Sequence, residues 1–223
     1  MRIPKIENYN NKNLIETVKL PKPNNLSMQI SIMNEKEKVK LIKNIERIAR
    51  SSMEYKQYIK FLKDEIDMTK CTYFNGVNNK NKRVSIEIHH EPFTLFDITQ
   101  MVVDKTLDEG KPLNLFLLAE EVMKIHYMGL VGLLPLSVTV HELVHNGKLF
   151  IPLQCVYGNF VKFLETYERY IPADIQEMLQ TKIRMSKELS ILDLTVLEKK
   201  YMYLEVEGMS FPQPLQEEMT NAG

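Results

Sequence analysis

The histidines of this 223-residue chain are few and lie in one part of it. There are five, and all fall between His89 and His145. His89 and His90 end a run in which apolar and polar residues alternate, and the segment HELVH spans His141 to His145. A neutral imidazole can bind a metal ion or act as a general base near pH 7. These residues therefore indicate a metal site or acid–base chemistry in the central region.

The adjacent pair His89–His90 suits a division of roles at the end of a strand. Successive side chains of a strand point to opposite faces. One histidine can therefore hold an ion while its neighbour activates a water molecule. A purely structural interpretation stays open, in which the pair ends a strand and carries no chemistry.

The segment HELVH matches the H-E-x-x-H pattern of zinc enzymes. Positions i and i+4 of a helix share a face, so His141 and His145 can bind one Zn²⁺ while Glu142 acts as the base. Glu165, 20 positions after His145, is the candidate third ligand. The pattern predicts a zinc metallohydrolase as one alternative. The other is that both histidines are boundary residues of a helix, which is the commoner role.

The composition is that of an ordinary soluble globular protein, with 44% apolar and 26% charged residues. The 29 basic residues balance 29 acidic ones, so a polyanion partner would need a local basic patch. No apolar run approaches the roughly 20 residues of a membrane helix, and the N-terminus lacks the apolar core of a signal peptide. The two cysteines, Cys71 and Cys155, suit a reducing compartment. We therefore expect a cytoplasmic protein, or one of the host cytoplasm if it is phage-encoded, with no membrane partner.

Periodicity and breaker residues predict an α+β protein that is mostly helical with one small antiparallel element. Four regions are predicted: an extended arm at 1–34, a helical region at 35–70, a core of strands and helices at 71–171, and a helical region at 172–223. The second region is one long helix or two helices that meet near Ser51 and Ser52. The sequence leaves that choice open.

The predicted core contains two strands separated by a long helical insertion. The segment CTYFNGVNNKNKRVSIEI is typical of a hairpin that leads into the histidine strand. The residues after Thr94, those of NLFLLAEEVMKIHYMG and those of SVTVHELVHNG are predicted helices. The segment KLFIPLQCV is a predicted second strand, and GNFVKFLETYERYI is the helix after it.

Two short blocks of this core resemble the His-Me finger, or HNH, nucleases. The block IEIHHEPF is similar to the paired-histidine strand of colicin-type DNases. The block NGKLFIPLQCVYGN resembles a segment of phage resolvase-type endonucleases in which an Asn binds the ion. Cys71 and Cys155 stand where those enzymes hold part of a structural zinc site. The resemblance implies a ββα-metal-like core, with the helical insertion lengthening the link between its strands.

The resemblance also implies roles for individual residues of a metal-dependent DNA endonuclease. His90 would be the general base that activates water against a phosphodiester. His89 and Asn159 would hold a divalent ion, Mg²⁺ or Mn²⁺ with Zn²⁺ as a further option. His145 or Asn146 would add a ligand or orient the base.

DNA is the partner that this interpretation implies, and phosphate contacts require clustered basic residues. Lys80, Lys82 and Arg83 precede the histidine strand and are the predicted contacts. The Asn- and Lys-rich style of the chain is typical of a phage protein. Two other functions stay open beside the nuclease: the zinc metallohydrolase, and a structural or interaction protein that binds a protein partner or forms a homodimer. The latter includes a nuclease-like fold without activity.

Overall fold

The structure is a computed structural model that describes residues 34–74, 77–79 and 84–190. Within these ranges it contains seven α-helices and a two-stranded antiparallel sheet, which confirms the predicted class. The elements are α1 Glu35–Ser51, α2 Met53–Asp64, β1 Ile86–His90, α3 Leu95–Asp108, α4 Leu115–Tyr127, β2 Leu133–Ser137, α5 Val138–His145, α6 Phe160–Tyr167 and α7 Ala173–Ser190. The predicted arm before Asn34 and the predicted helix after Ser190 lie outside the described residues.

The helical region that follows Asn34 consists of two helices. Ser52 separates them with an extended backbone, at φ −66° and ψ 156°. Its hydroxyl oxygen accepts a hydrogen bond from the backbone N–H of Tyr55 at 3.0 Å and so caps α2. Serine is a favoured residue at this position because its side chain satisfies an N–H that the helix itself leaves free.

Helices α1, α3 and α4 pack against one another and form the main helical layer. The buried residues of α1, Ile42, Ile45 and Ala49, follow the spacing of three and four that places side chains on one helix face. Val122 of α4 is fully buried in the same core. This layer holds α4 in place, and the last turn of α4 reaches strand β1.

The start of α3 is set by a capping box at Thr94. The Thr94 hydroxyl accepts a hydrogen bond from the backbone N–H of Asp97 at 3.2 Å, and the Asp97 carboxylate accepts one from the backbone N–H of Thr94 at 2.8 Å. The two residues thus satisfy N–H groups that have no partner inside the helix.

We expect Thr94→Ala to lower the free energy of unfolding by about 1 kcal/mol, the usual cost of losing such a cap. Urea denaturation of the metal-free protein measures this. Thr94→Ser keeps the hydroxyl and should retain most of the stability. Equal losses in both variants would contradict the capping role.

Strands β1 and β2 pair antiparallel, with His89 opposite Leu134 and His90 opposite Leu133. Helices α3 and α4 lie between the two strands along the chain, as the sequence predicted, but the third helix predicted for this insertion, α5, follows the second strand. The second strand, however, is not the predicted segment KLFIPLQCV. That prediction is wrong: residues 148–156 contain no strand, and Leu153–Cys155 forms a 3₁₀ turn.

Pro135 explains why the sequence did not indicate β2. Proline has no N–H to donate, so it argues against a strand unless the strand lies at an edge. In the fold, the Pro135 carbonyl oxygen accepts hydrogen bonds from the backbone N–H and the hydroxyl of Thr72, both at 2.9 Å. Pro135 therefore takes part in hydrogen bonding as an acceptor only.

The predicted hairpin between the Cys71 segment and the histidine strand is also corrected, because β1 pairs with β2 in the described sheet. In the segment after Cys71, the described residues contain an isolated antiparallel bridge between Lys70 and Asn78. Residues 75–76 and 80–83 lie outside the description. The local turn chemistry was visible in the sequence, whereas the pairing partner of β1 depends on distant residues.

Helix α5 follows β2 without a connecting loop and packs on both strands, which makes a compact strand–strand–helix unit.

Gly132, just before β2, lies against the backbone of Glu91. A Cβ atom at position 132 would lie 1.8 Å from the Glu91 carbonyl oxygen, so this close approach requires glycine. The Glu91 N–H donates to the Gly132 carbonyl oxygen at 3.0 Å, which fixes the chain directly after the two histidines.

Candidate metal centre

Strand β1 directs its two histidines to different helices. His89, only 4% exposed, places its ring against His141 and His145 of α5. His90, also buried, places its ring against His126 of α4. Side chains alternate along a strand, so neighbouring residues meet different partners. All five histidines of the chain therefore belong to one of two groups.

The first group is the three-histidine cluster, His89, His141 and His145. Each offers one ring nitrogen, and these three atoms lie within 4.8 Å of one another. The Nε2 atoms of His141 and His145 are 3.0 Å apart. The two residues share a face of α5 because they are four positions apart, and β1 supplies the third ring. The cluster ranges from the buried His89 to the exposed His145.

Two carboxylates contact the three-histidine cluster. An oxygen of Glu87 lies 2.5 Å from Nδ1 of His141, so that nitrogen carries a proton and donates it to the carboxylate. An oxygen of the buried Glu91 lies 3.5 Å from Nε2 of His89. The other oxygen of Glu91 forms an ion pair with Lys182 of α7. The cluster thus has an outer layer of charged residues drawn from β1, the chain after it, and α7.

The protonation state of His145 favours metal binding. Partial burial, followed by the neighbouring His141, lowers its pKa below the usual value. A lowered pKa keeps the imidazole neutral at neutral pH, and the neutral form is the one that offers a lone pair to a metal. Three imidazole nitrogens on one side of an ion leave further coordination positions for water or another group.

The second group is a buried pair, His90 and His126. Nδ1 of His126 lies 2.7 Å from the carbonyl oxygen of Val122, which can only accept, so Nδ1 donates. Nε2 of His126 is then an acceptor, and Nε2 of His90 donates to it at 3.0 Å. The rings of Tyr58 and Tyr55 also pack against the His126 ring, each in a T-shaped arrangement.

Both histidines of the buried pair are held neutral. Burial lowers the pKa of His126 to about 4, although the Val122 hydrogen bond opposes the shift. Burial, followed by His126, lowers the pKa of His90 well below its usual value. Nε2 of His90 is engaged with His126, and the geometry lends no support to the general-base role, which stays a prediction.

The remaining site residues of the sequence analysis lie in several places. The Asn159 side chain caps α6 by accepting from the Lys162 backbone N–H at 3.1 Å, and its role as a metal ligand stays a prediction. Glu165 of α6 faces Lys162 at 3.4 Å and is not a member of the described histidine cluster. Glu142 and Asn146 are exposed at α5 and just after it.

The predicted DNA contacts Lys80, Lys82 and Arg83 lie outside the described residues. Several residues important for the geometry were missed by sequence reasoning: Glu87, Glu91, His126 and Lys182. His126 was not singled out, although it is one of only five histidines. Lys182 carried no local signal, because it meets Glu91 from a helix 91 positions further along the chain.

A cavity of about 700 Å³ lies between α1, α2 and α4. None of the five histidines lines it, and most of its lining is apolar. Phe116 of α4 is part of the lining and is 73% exposed. The cavity and the three-histidine cluster therefore share no residues.

A comparison with protein families identifies the group to which the chain is related. The family model described as bacteriophage G278-like virion protein matches residues 2–210. The chain belongs to this family. No curated protein and no solved structure gives a significant match.

Membership of the G278-like virion protein family supports the phage origin that the sequence style indicated. It lends no support to the resemblance to His-Me finger nucleases. In the part of the chain that the structure describes, none of the helices has both the length and the apolar character needed to span a bilayer.

Proposed function

We propose that the protein is a structural or assembly component of the phage particle whose three-histidine cluster binds one divalent transition-metal ion, with Zn²⁺ as the first candidate. The observation that carries the metal site is the convergence of three ring nitrogens within 4.8 Å. The family match supports the role in the particle. This is the structural alternative of the sequence analysis, with a metal site added.

The ligand set favours Zn²⁺ over Mg²⁺. Imidazole nitrogen suits zinc, copper and nickel, whereas Mg²⁺ prefers oxygen ligands. Zinc–nitrogen distances of roughly 2.0–2.1 Å in a tetrahedral site place two ligand nitrogens about 3.3 Å apart. His141 and His145 already have their Nε2 atoms 3.0 Å apart, so zinc needs only a small adjustment there. His89 completes the set from the neighbouring strand.

A metal at this position would act as a cross-link within the fold. The ion would join β1 to α5, elements that are far apart in the chain and packed together in space. Binding energy that exists only in the folded state adds to folding stability. Such a link would hold the small sheet and α5 together.

Metal analysis of untagged, purified protein tests the proposal. After loading with Zn²⁺ and dialysis we expect one zinc per chain, and no retained Mg²⁺. His89→Ala and His141→Ala should weaken zinc binding by more than about 100-fold. Removing a residue that only hydrogen-bonds to a metal ligand lowers metal affinity by about 10- to 100-fold, and removing the ligand itself should cost more.

Glu165→Gln is the matched control, because the sequence pattern named Glu165 as the third ligand whereas the geometry favours His89. It should bind zinc like the wild type. Loss of zinc in Glu165→Gln, together with normal binding by His89→Ala, would contradict the proposed ligand set and support the site expected from HELVH.

Hydrolysis at the same ion is a second candidate, favoured by the exposed side of the cluster at His145. Three protein ligands with a free position are typical of catalytic zinc, where the metal activates a bound water. Plasmid cleavage by zinc- or manganese-loaded protein distinguishes the candidates. Cleavage that is abolished in His145→Ala would replace the structural role by the endonuclease or hydrolase function. Loaded wild-type protein without cleavage keeps the structural role.

A further inference from the structure

We propose that Glu87 and Glu91 are positioning residues for the metal-binding histidines, and that Lys182 holds Glu91 in place so that metal binding is coupled to the docking of helix α7. The inference rests on the proposed metal site. It assigns the charged layer around the three-histidine cluster a role that no single motif of the sequence indicates.

Glu87 sets the orientation of His141. Its carboxylate accepts a hydrogen bond from the Nδ1–H of His141 at 2.5 Å, which fixes the tautomer and leaves the lone pair of the ring on Nε2. That Nε2 atom is the one that faces Nε2 of His145 at 3.0 Å. A carboxylate on the far nitrogen of a metal-bound histidine orients the ring and increases its basicity. Glu87 therefore occupies the place that such a residue requires.

Glu91 is the carboxylate that faces His89, at a longer distance than the one between Glu87 and His141. Its side chain is 3% exposed, and a buried carboxylate is stable only when it is paired. One oxygen faces Nε2 of His89 at 3.5 Å, and the other forms the ion pair with Lys182. If Nε2 donates to Glu91, Nδ1 of His89 is the nitrogen left for the ion. The geometry thus gives two of the three histidines a carboxylate partner.

Lys182 connects this layer to α7. The helix is anchored nearby, because the Ser186 hydroxyl accepts a hydrogen bond from the backbone N–H of Leu153 at 3.0 Å. Leu179 and Ile183 of α7 are buried in the core. Lys182 lies between these anchors and reaches Glu91, so the position of α7 and the position of the Glu91 carboxylate depend on each other. By linkage, an ion that favours the ordered His89–Glu91 contact also favours docked α7.

Affinity measurements on purified full-length variants test the positioning roles. Competition with a chromogenic chelator gives zinc affinities, and the visible spectrum of the Co²⁺ form reports ligand geometry. We expect Glu87→Gln, Glu91→Gln and Lys182→Met each to weaken zinc binding by about 10- to 100-fold and to change the Co²⁺ spectrum. Glu177→Gln, which changes an exposed carboxylate on α7, is the matched control and should leave both unchanged.

Hydrogen exchange tests the coupling to α7. Zinc should slow amide exchange in α7 of the wild type, and this effect should be lost in Lys182→Met. A change at the buried Glu91 could impair folding. Glu87 is exposed, so Glu87→Gln should fold normally and still tests the positioning role.

The outcomes separate this inference from the proposed function. Wild-type protein that binds no zinc would overturn both. Wild-type protein that binds zinc, with unchanged affinities and Co²⁺ spectra in the three variants, would overturn the positioning roles alone. Zinc that protects α7 equally in wild type and Lys182→Met would overturn the coupling.

Discussion

Zinc is expected to raise the melting temperature of the purified protein by about 8 to 16 °C. A ligand that binds only the folded state at a thousand times its dissociation constant adds about 4 kcal/mol. In a chain of this length each kcal/mol shifts the midpoint by about 2 to 4 °C. The effect is large because the ion would join β1 and α5 through three side chains that are separated in the sequence but adjacent in the fold.

Scanning calorimetry with and without zinc measures the shift. Mg²⁺ at the same concentration should have little effect, since imidazole is a poor partner for it. His89→Ala should lose most of the zinc-dependent rise, while Glu165→Gln should keep it. A rise of equal size in His89→Ala would mean that the stabilising ion binds elsewhere.

Acid is expected to destabilise the metal-free protein through the buried pair. Burial lowers the pKa of His126 in the folded protein to about 4, from about 6.5 for a free histidine. Between pH 6.5 and pH 4, His126 is protonated in the unfolded chain and neutral in the folded chain. Stability from this residue is therefore fully present above pH 6.5 and is lost as the pH falls towards 4. At about 1.4 kcal/mol per pH unit, the loss reaches about 3 kcal/mol. His90 acts in the same direction, because its pKa is also lowered.

Urea denaturation at pH 7.5 and pH 4.5, in the presence of a chelator, measures this loss. His126→Gln removes a titrating group and should reduce the difference between the two pH values. His145→Gln is the control, because the pKa of the exposed His145 is lowered by less than that of His126, so this variant should alter the acid loss less. Comparable acid sensitivity in wild type and His126→Gln would show that other groups dominate.

Much of the local structure was determined by the sequence itself. The capping box at Thr94 and Asp97 and the apolar spacing in α1 predict helices, because these signals act between residues three or four positions apart. The same local geometry placed His141 and His145 on one face of a helix. The alternation in β1 predicted that His89 and His90 would meet different surroundings.

The tertiary structure decided which of these residues meet. The partner of β1 is the segment around Pro135, which local rules disfavour as a strand, so KLFIPLQCV was predicted in its place. Glu165 had a familiar spacing after HELVH, yet His89 is the residue that packs against His141 and His145. Strand pairing and side-chain clusters depend on contacts between distant parts of the chain, whose strength comes from packing and burial in the assembled core. Spacing along the sequence carries no record of those contacts.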